Sequence, residues 1–219
     1  MRELIIVGNG SYSQMLRNYI ELTEFSRVVA YAVDKECIQE KELNGIPVIS
    51  FEDLREKYSC EDVSLIMGIG YTQMGDIRKR VFEKCKLWGY KFENYIHPTA
   101  IIAEDVVMGE GNNILEGVII EVGVSIGNAN LFFGGTMIAH ESTIGSYNTF
   151  SVKVVVAGCV TVQNNCFLGA SSAVKDHITL KDYVLLGAMA FGFKNMESYS
   201  VITPAKSVIL EDRKSTDFL

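Results

Sequence analysis

The chain has 219 residues, of which 48% are hydrophobic and 21% are charged, and its formal net charge is −7. These values are typical of a globular protein with one or two domains, and they argue against nucleic acid as the default partner, because phosphate binding favours a basic surface. No apolar run approaches the roughly 18 residues that a membrane span requires, and five cysteines without a Cys-x-x-Cys pair predict a reducing, cytoplasmic compartment.

The first part of the chain predicts strands that alternate with helices. Strands are predicted at residues 3–7, 27–33, 45–48 and 63–69, and helices at 12–23, 50–58 and 73–88. The second of these helices opens on Ser50-Phe51-Glu52-Asp53, which has the spacing of a capping box. This alternation predicts a small parallel sheet between helices, and we expect a Rossmann-like α/β domain over residues 1–94.

Two glycine turns follow strands of this domain. Gly8-Asn9-Gly10 lies between a strand and a helix, which suits a phosphate at the helix N-terminus, although Ser13 replaces the third glycine of a dinucleotide fingerprint. Asp34 ends the second strand, where such folds place a carboxylate for a ribose or a base. The second turn, Gly68-Ile69-Gly70-Tyr71, is predicted to face the same crevice. The alternative is a tight turn beside a solvated acid.

The period changes at Ile96, and from there to Leu186 an apolar residue occupies every sixth position, sixteen times in one phase. A period of six fits neither a helix nor a simple alternating strand, but it is typical of hexapeptide solenoids, in which short strands wind around a prism. Three hexads make one coil, so residues 18 apart are expected to stack at about 4.8 Å, the spacing of neighbouring strands. We expect this prism over residues 95–206 and a tail at 207–219.

One outward column of the predicted prism is apolar throughout. Its members are Ile101, Ile119, Met137, Val155, Ala173 and Phe191. Burial against another subunit explains such a stripe best, and prisms of this class usually form trimers, so we expect a homotrimer. The alternative is that β-branched residues simply suit strands, which does not account for Met137 and Phe191.

His140 is the candidate general base among the three histidines. It follows Met137 by three residues, Glu141 comes next, and Gly158 lies 18 residues further on, directly below. Acyl transfer from a thioester needs a base of near-neutral pKa, an orienting carboxylate helps it, and a glycine N–H provides an accessible oxyanion donor. The alternative is a surface His-Glu pair at a coil corner.

The other two histidines do not support a metal site. His97 opens the prism and is interpreted as a structural or substrate-rim residue, and His177 is outward on a late coil. The three histidines occupy different positions within their hexads, so stacking cannot bring them together, and no catalytic metal is expected.

On these motifs the chain resembles the bacterial acetyltransferases that join a Rossmann-like domain to a left-handed parallel β-helix. This family includes sialic-acid O-acetyltransferases and N-acetyltransferases of nucleotide-linked 4-amino-4,6-dideoxy sugars. The matching segments are Ile5–Gly10, Met67–Tyr71 with Arg78, Gly89-Tyr90, Tyr95–Pro98, Ile138–Gly145, Tyr199–Val201 and Pro204–Lys206.

The resemblance implies roles for particular residues. His140 acts as the base with support from Glu141, and acetyl-CoA lies between neighbouring prisms. The implied coenzyme contacts are Ala157, Gly158, Gly187 and Ala188. The implied contacts of the nucleotide-linked sugar are Gly8, Gly10, Ser11, Tyr12, Asp34, Lys35, Gly70 and Tyr71. The family commonly has Gly-Gly-His or Gly-Gly-Phe where this chain has Gly10-Ser11-Tyr12.

We therefore expect a cytoplasmic homotrimer that transfers acetyl from acetyl-CoA to the 4-amino group of a dTDP-, UDP- or GDP-linked 4-amino-4,6-dideoxy sugar. The product is expected to enter a surface glycan such as the O-antigen of lipopolysaccharide. The alternatives are a sialic-acid-type O-acetyltransferase and a non-catalytic scaffold that binds sugar nucleotides. The identity of the nucleotide and the stereochemistry of the sugar stay open.

Overall fold

The computed structural model describes residues 3–207, 209, 211, 212 and 216, and it shows an α/β layer followed by a left-handed parallel β-helix. This is the predicted fold class. Most of the predicted tail, 207–219, lies outside the described residues. Among those that are described, no helix combines the length and the apolar character that crossing a bilayer requires.

The sheet of the α/β layer has five strands in the order β3-β4-β2-β1-β5. Their bounds are Glu3–Val7 (β1), Val28–Val33 (β2), Glu42–Leu43 (β3), Ile46–Ser50 (β4) and Val63–Met67 (β5). The four longer strands are parallel, as predicted, and β3 pairs antiparallel with β4. The sequence analysis missed this hairpin, although its Asn44-Gly45 turn, with both residues at positive φ, is a strong hairpin signal.

Helices cover both faces of this sheet. The α-helices are Ser11–Leu22 (α1), Phe51–Lys57 (α2) and Asp76–Leu87 (α3), and the 3-10 helices are Lys35–Cys37 and Thr72–Gly75. Leu16 and Ile20 of α1 pack on one face, while α2 and α3 pack on the other. The predicted capping box is confirmed, because the Ser50 hydroxyl accepts from the Asp53 N–H at 3.0 Å and the Asp53 carboxylate accepts from the Ser50 N–H.

The predicted helix 73–88 is wrong at its start. Gln73 and Met74 have φ values near +52°, which a right-handed helix does not allow, and α3 begins only at Asp76. Gly75, also at positive φ, approaches the Tyr147 carbonyl so closely that a Cβ would lie 2.7 Å from it. Packing against the β-helix therefore decides where this helix begins.

The β-helix consists of two-residue strands in three sheets, one on each side of a triangular prism. The covered face comprises Tyr95–Ile96 (β6), Asn113–Ile114 (β9), Leu131–Phe132 (β12), Thr149–Phe150 (β15), Phe167–Leu168 (β18), Leu185–Leu186 (β21) and Val201–Ile202 (β23). The apolar face comprises Ile101–Ile102 (β7), Ile119–Ile120 (β10), Met137–Ile138 (β13), Val155–Val156 (β16), Ala173–Val174 (β19) and Phe191–Gly192 (β22). The polar face comprises Val107–Met108 (β8), Ser125–Ile126 (β11), Thr143–Ile144 (β14), Thr161–Val162 (β17) and Thr179–Leu180 (β20).

Strand pairing confirms the predicted 18-residue repeat, as when Met137 pairs with Val155. The second residue of each strand points inward, and from Ile114 to Leu186 these residues are buried in one continuous core. Phe132 and Phe150 stack inside it with ring centroids 4.8 Å apart. In the first coil Ile96 stays 38% exposed, because no further coil covers it.

The covered face of the β-helix lies against the α/β layer, which explains its name. The outward side chains of Tyr95, Asn113, Leu131 and Thr149 are buried there. The chain entering the β-helix runs beside the edge strand β5, where the Leu65 N–H donates to the Lys91 carbonyl at 2.8 Å. The amide of Asn113 donates to the Met67 carbonyl at 2.6 Å and to the Tyr12 hydroxyl at 2.9 Å.

The fully buried guanidinium of Arg78 joins the two parts. It donates to the Gly70 carbonyl at 2.8 Å within the α/β layer. Across the boundary it donates to the carbonyls of Tyr147 at 2.6 Å and Asn148 at 3.0 Å and to the Thr149 hydroxyl at 3.1 Å. Burial lowers the pKa of Arg78 to about 10, so it still carries its charge at neutral pH.

We predict that replacing Arg78 with Met lowers the free energy of unfolding by about 3 kcal/mol or more, because several buried carbonyl groups lose their donor. Urea unfolding followed by circular dichroism measures this change. The exposed Arg27, replaced with Gln, is the matched control and is expected to change stability by less than about 0.5 kcal/mol. Equal effects of the two substitutions would show that the Arg78 contacts do not hold the parts together.

Candidate functional site

His140 lies at a corner of the prism, in the turn that follows β13. The pairing of β13 with β16 sets the register, so the ring lies directly over Gly158 of the next coil. A Cβ on residue 158 would be 2.6 Å from both Cε1 and Nε2 of the imidazole, far inside van der Waals contact. Only glycine therefore allows the ring to occupy this place.

The groups around this ring leave it available for proton transfer. Its side chain is about half exposed, and neither ring nitrogen has a hydrogen-bond partner among residues 3–207. The backbone N–H of Gly158 is likewise unpaired within this range, while its carbonyl accepts from the His177 N–H. The structure thus places an uncommitted imidazole beside an uncommitted N–H donor, which is the predicted pairing.

Glu141 does not make the hydrogen bond that would orient the ring. Its Oε2 lies 3.9 Å from His140 Nδ1, which is longer than a hydrogen bond, and it accepts from the Cys159 thiol at 3.4 Å. Glu121, which the sequence analysis did not select, accepts from the His140 backbone N–H at 2.9 Å. A supporting role for Glu141 stays a prediction.

Cys159 brings a third donor to this corner. One ligand atom each from His140, Glu141 and Cys159 lies within 4.8 Å of the others. The sequence analysis compared only histidines and missed this group, although Glu141 and Cys159 are 18 residues apart and therefore stack. Such a set resembles the ligands that bind zinc.

A second concave site lies at the carboxyl ends of the parallel strands in the α/β layer. It is a crevice of about 290 Å³ lined by both glycine turns, as predicted, and by Asp34 and Arg80. The turns approach each other so closely that a Cβ on Gly68 would lie 2.5 Å from the Ile6 side chain and 2.8 Å from Ser13. Ser13 is buried, and its hydroxyl donates to the Gly10 carbonyl at 2.7 Å.

The predicted contacts of the sugar nucleotide divide into two groups. Those that line the crevice are Gly8, Gly10, Asp34 and Gly70, and those that do not are Ser11, Tyr12, Lys35 and Tyr71. Tyr12 instead packs on Phe133 at a centroid distance of 5.7 Å, with its hydroxyl against Asn113. Tyr71 packs on Phe167 at 5.3 Å. The sequence analysis missed Arg80, which lines the crevice one helical turn from Lys84 on α3.

Asp34 forms ion pairs with both of these cations, each at 3.0 Å. Burial acts to raise the pKa of Asp34, but the hydrogen bonds and charges of Lys84 and Arg80 outweigh it, so the net pKa is lowered. The carboxylate is therefore ionised and faces the crevice with its partners.

The predicted coenzyme contacts lie at two different corners. Ala157 and Gly158 follow β16 of the apolar face and belong to the His140 corner. Gly187 and Ala188 follow β21 of the covered face. Within one chain these two pairs of residues therefore do not meet at one corner.

Comparison with known proteins gives relatives for both parts. Residues 3–85 match the family model of the PglD N-terminal domain. The UDP-N-acetylbacillosamine N-acetyltransferase of Bacillus subtilis (strain 168) is 30% identical over 117 residues, which cover 52% of this chain and 52% of that protein. The chain thus matches about half the length of this curated relative.

Two solved structures share the fold over nearly the whole chain. The acetyltransferase domain of PglB from Neisseria gonorrhoeae FA1090 has a TM-score of 0.82 and 18% identity, and the match covers 95% of this chain and 100% of that one. PerB from Caulobacter crescentus, solved with CoA and GDP-perosamine, has a TM-score of 0.81 and 21% identity over 93% and 95% of the two chains. These likenesses confirm the predicted fold class.

We predict that replacing Asp34 with Asn lowers the free energy of unfolding at neutral pH. Because the folded-state pKa of Asp34 is lowered, its contribution is present above the ordinary value of 3.8 and is lost as the pH falls through the folded-state value. The difference between the variant and the original chain should therefore shrink under acid conditions. Urea unfolding across a pH series measures it. The exposed Asp62, replaced with Asn, is the control, and a pH-independent difference at Asp34 would contradict the ion-pair assignment.

Proposed function

We propose that this protein transfers acetyl from acetyl-CoA to the 4-amino group of a nucleotide-linked 4-amino-4,6-dideoxy sugar. The observation that carries the proposal is the uncommitted imidazole of His140 above the unpaired N–H of Gly158. The names of the curated relative and of PerB support this reaction and these substrate classes.

The proposed reaction begins with the neutral amine attacking the thioester carbonyl. His140 takes the proton that the amine nitrogen gives up, and the Gly158 N–H donates to the oxyanion of the tetrahedral intermediate. When the intermediate collapses, the C–S bond breaks, and the imidazolium returns the proton to the departing sulfur. The products are the amide and free coenzyme A.

Two carboxylates support this step without touching the reacting atoms. Glu121 holds the backbone of His140 in place through the hydrogen bond to its N–H. Glu141, 3.9 Å from Nδ1, favours the imidazolium that forms during the reaction. Both are positioning or electrostatic groups in this proposal.

The crevice of the α/β layer is the proposed nucleotide site. Helix α1 points its N-terminus toward the turn Gly8–Gly10, which favours a phosphate, and Arg80 adds a positive charge. Asp34 is the proposed partner of the base or ribose. We accordingly assign nucleotide binding to residues 1–94 and acetyl transfer to 95–206, in the cytoplasm and ahead of a surface glycan such as O-antigen.

A homotrimer completes the proposed site. The apolar face of the prism stays open to solvent in one chain, with Ile101 64% and Phe191 54% exposed, which is unfavourable unless another subunit covers it. Because Gly187 and Ala188 lie at a different corner from His140, they contact the same acetyl-CoA only across a subunit boundary.

The reaction is tested by following coenzyme A release with a panel of acceptors. We expect turnover with a dTDP-, UDP- or GDP-linked 4-amino-4,6-dideoxy sugar. Turnover only with free hydroxylated sugars, sialic acid among them, would support O-acetylation instead. Failure to bind acetyl-CoA would support a non-catalytic scaffold.

On the preferred acceptor, replacing His140 with Ala should lower kcat by about 10²–10⁴ with little change in KM, because proton transfer is lost and binding is kept. The surface residue His97, replaced with Ala, is the matched histidine control. Unchanged turnover in the His140 variant would remove this residue from the mechanism.

We predict that replacing Val155 with Glu converts the trimer into monomers, because the interface would bury an unpaired charge. Size-exclusion chromatography with light scattering measures the mass. The control is Ser125→Glu on the polar face, which should leave the mass unchanged. A trimer that survives Val155→Glu would place the interface elsewhere.

A further inference from the structure

The corner that carries His140 combines three kinds of donor atom. The imidazole of His140, a carboxylate oxygen of Glu141 and the sulfur of Cys159 lie within 4.8 Å of one another. The two measured separations are 3.9 Å from Nδ1 to Oε2 and 3.4 Å from Sγ to Oε2. All three side chains reach solvent, so an ion has access to them.

The spacing of these donors is close to that of a tetrahedral metal site. Ligand atoms at Zn–N, Zn–O and Zn–S bond lengths of about 2.0–2.3 Å lie about 3.2–3.7 Å apart, so small side-chain rotations bring this set into position. Nitrogen, oxygen and sulfur together suit borderline-soft ions such as Zn²⁺ rather than Mg²⁺ or Ca²⁺.

The neighbouring charges also favour a cation. Glu121 places its carboxylate against the His140 backbone, and Asp176 acts on Cys159 from the coil below. Glu141, which accepts from the thiol, holds the Cys159 proton and raises its pKa. A metal ion entering this corner takes the place of that proton, so one proton leaves as the thiolate–metal bond forms.

We propose that His140, Glu141 and Cys159 bind a thiophilic divalent cation of the Zn²⁺ class, with water as the fourth ligand, and that the bound ion inhibits the protein reversibly. The inhibition rests on the proposed function, because a metal-bound imidazole no longer takes a proton from the acceptor amine. The binding itself is independent of it. Nothing in the proposed reaction uses the ion.

Cobalt(II) titration of the full-length protein tests the binding without reference to turnover. A cobalt–thiolate bond gives a charge-transfer absorption band in the near ultraviolet, and we expect this band in the original chain. It should disappear in Cys159→Ser, which keeps a hydroxyl beside Glu141 but offers no thiolate. The exposed Cys37, replaced with Ser, is the matched control and should keep the band.

A zinc titration by calorimetry completes the test. We expect one Zn²⁺ per chain and at least a tenfold loss of affinity in Glu141→Gln, whose amide is a poor zinc ligand. Thermal unfolding of the metal-free variants confirms that they fold. Absence of the cobalt band in the original chain, or its persistence in Cys159→Ser, would overturn the site. If metal binds but acetyl transfer proceeds unchanged, the inhibition is wrong while the site stands. If the protein has no transferase activity, the cobalt result still decides the site.

Discussion

The hydrogen-bonded register of the β-helix is the constraint on which the candidate site depends. Each coil takes 18 residues, and parallel pairing holds every coil at the same phase as the next. An interruption of one residue would turn the inward side chains outward for all later strands. The same register puts His140 over Gly158 and Glu141 over Cys159, so the chemistry of the corner follows from the repeat.

Side-chain amides strengthen this register near the α/β layer. Asn112 donates to Asn94, Asn130 donates to Asn112, and Asn148 donates from its backbone to Asn130, each one coil apart. The ladder ends where Cys166 replaces the next asparagine and donates from its backbone to Asn148. These buried amides satisfy backbone groups at a corner that faces protein instead of water, where an unpaired group is costly.

The boundary between the two parts depends on polar contacts that local sequence does not reveal. Arg78 lies in a helix of ordinary amphipathic pattern, yet its guanidinium is fully buried and its acceptors come from the β-helix. Tyr12 is a similar case, since its position after a glycine turn suggests ligand binding while its hydroxyl contacts Asn113. Both residues serve the packing of one part on the other, and the nucleotide crevice stays open beside them.

The sequence alone determined the elements whose signal is local or periodic. The sixteenfold hexad repeat, the parallel strands and the Ser50 capping box depend on spacing within a short stretch or on one repeated phase, so each could be predicted without coordinates. The repeat also placed His140 over Gly158. Tertiary structure alone decided the start of α3, the pairing of Asp34 with Lys84 and Arg80, the hydrogen bond from Glu121 and the addition of Cys159 to the His140 corner. These features depend on how side chains from distant segments turn and pack against one another, and that arrangement is set by the whole fold.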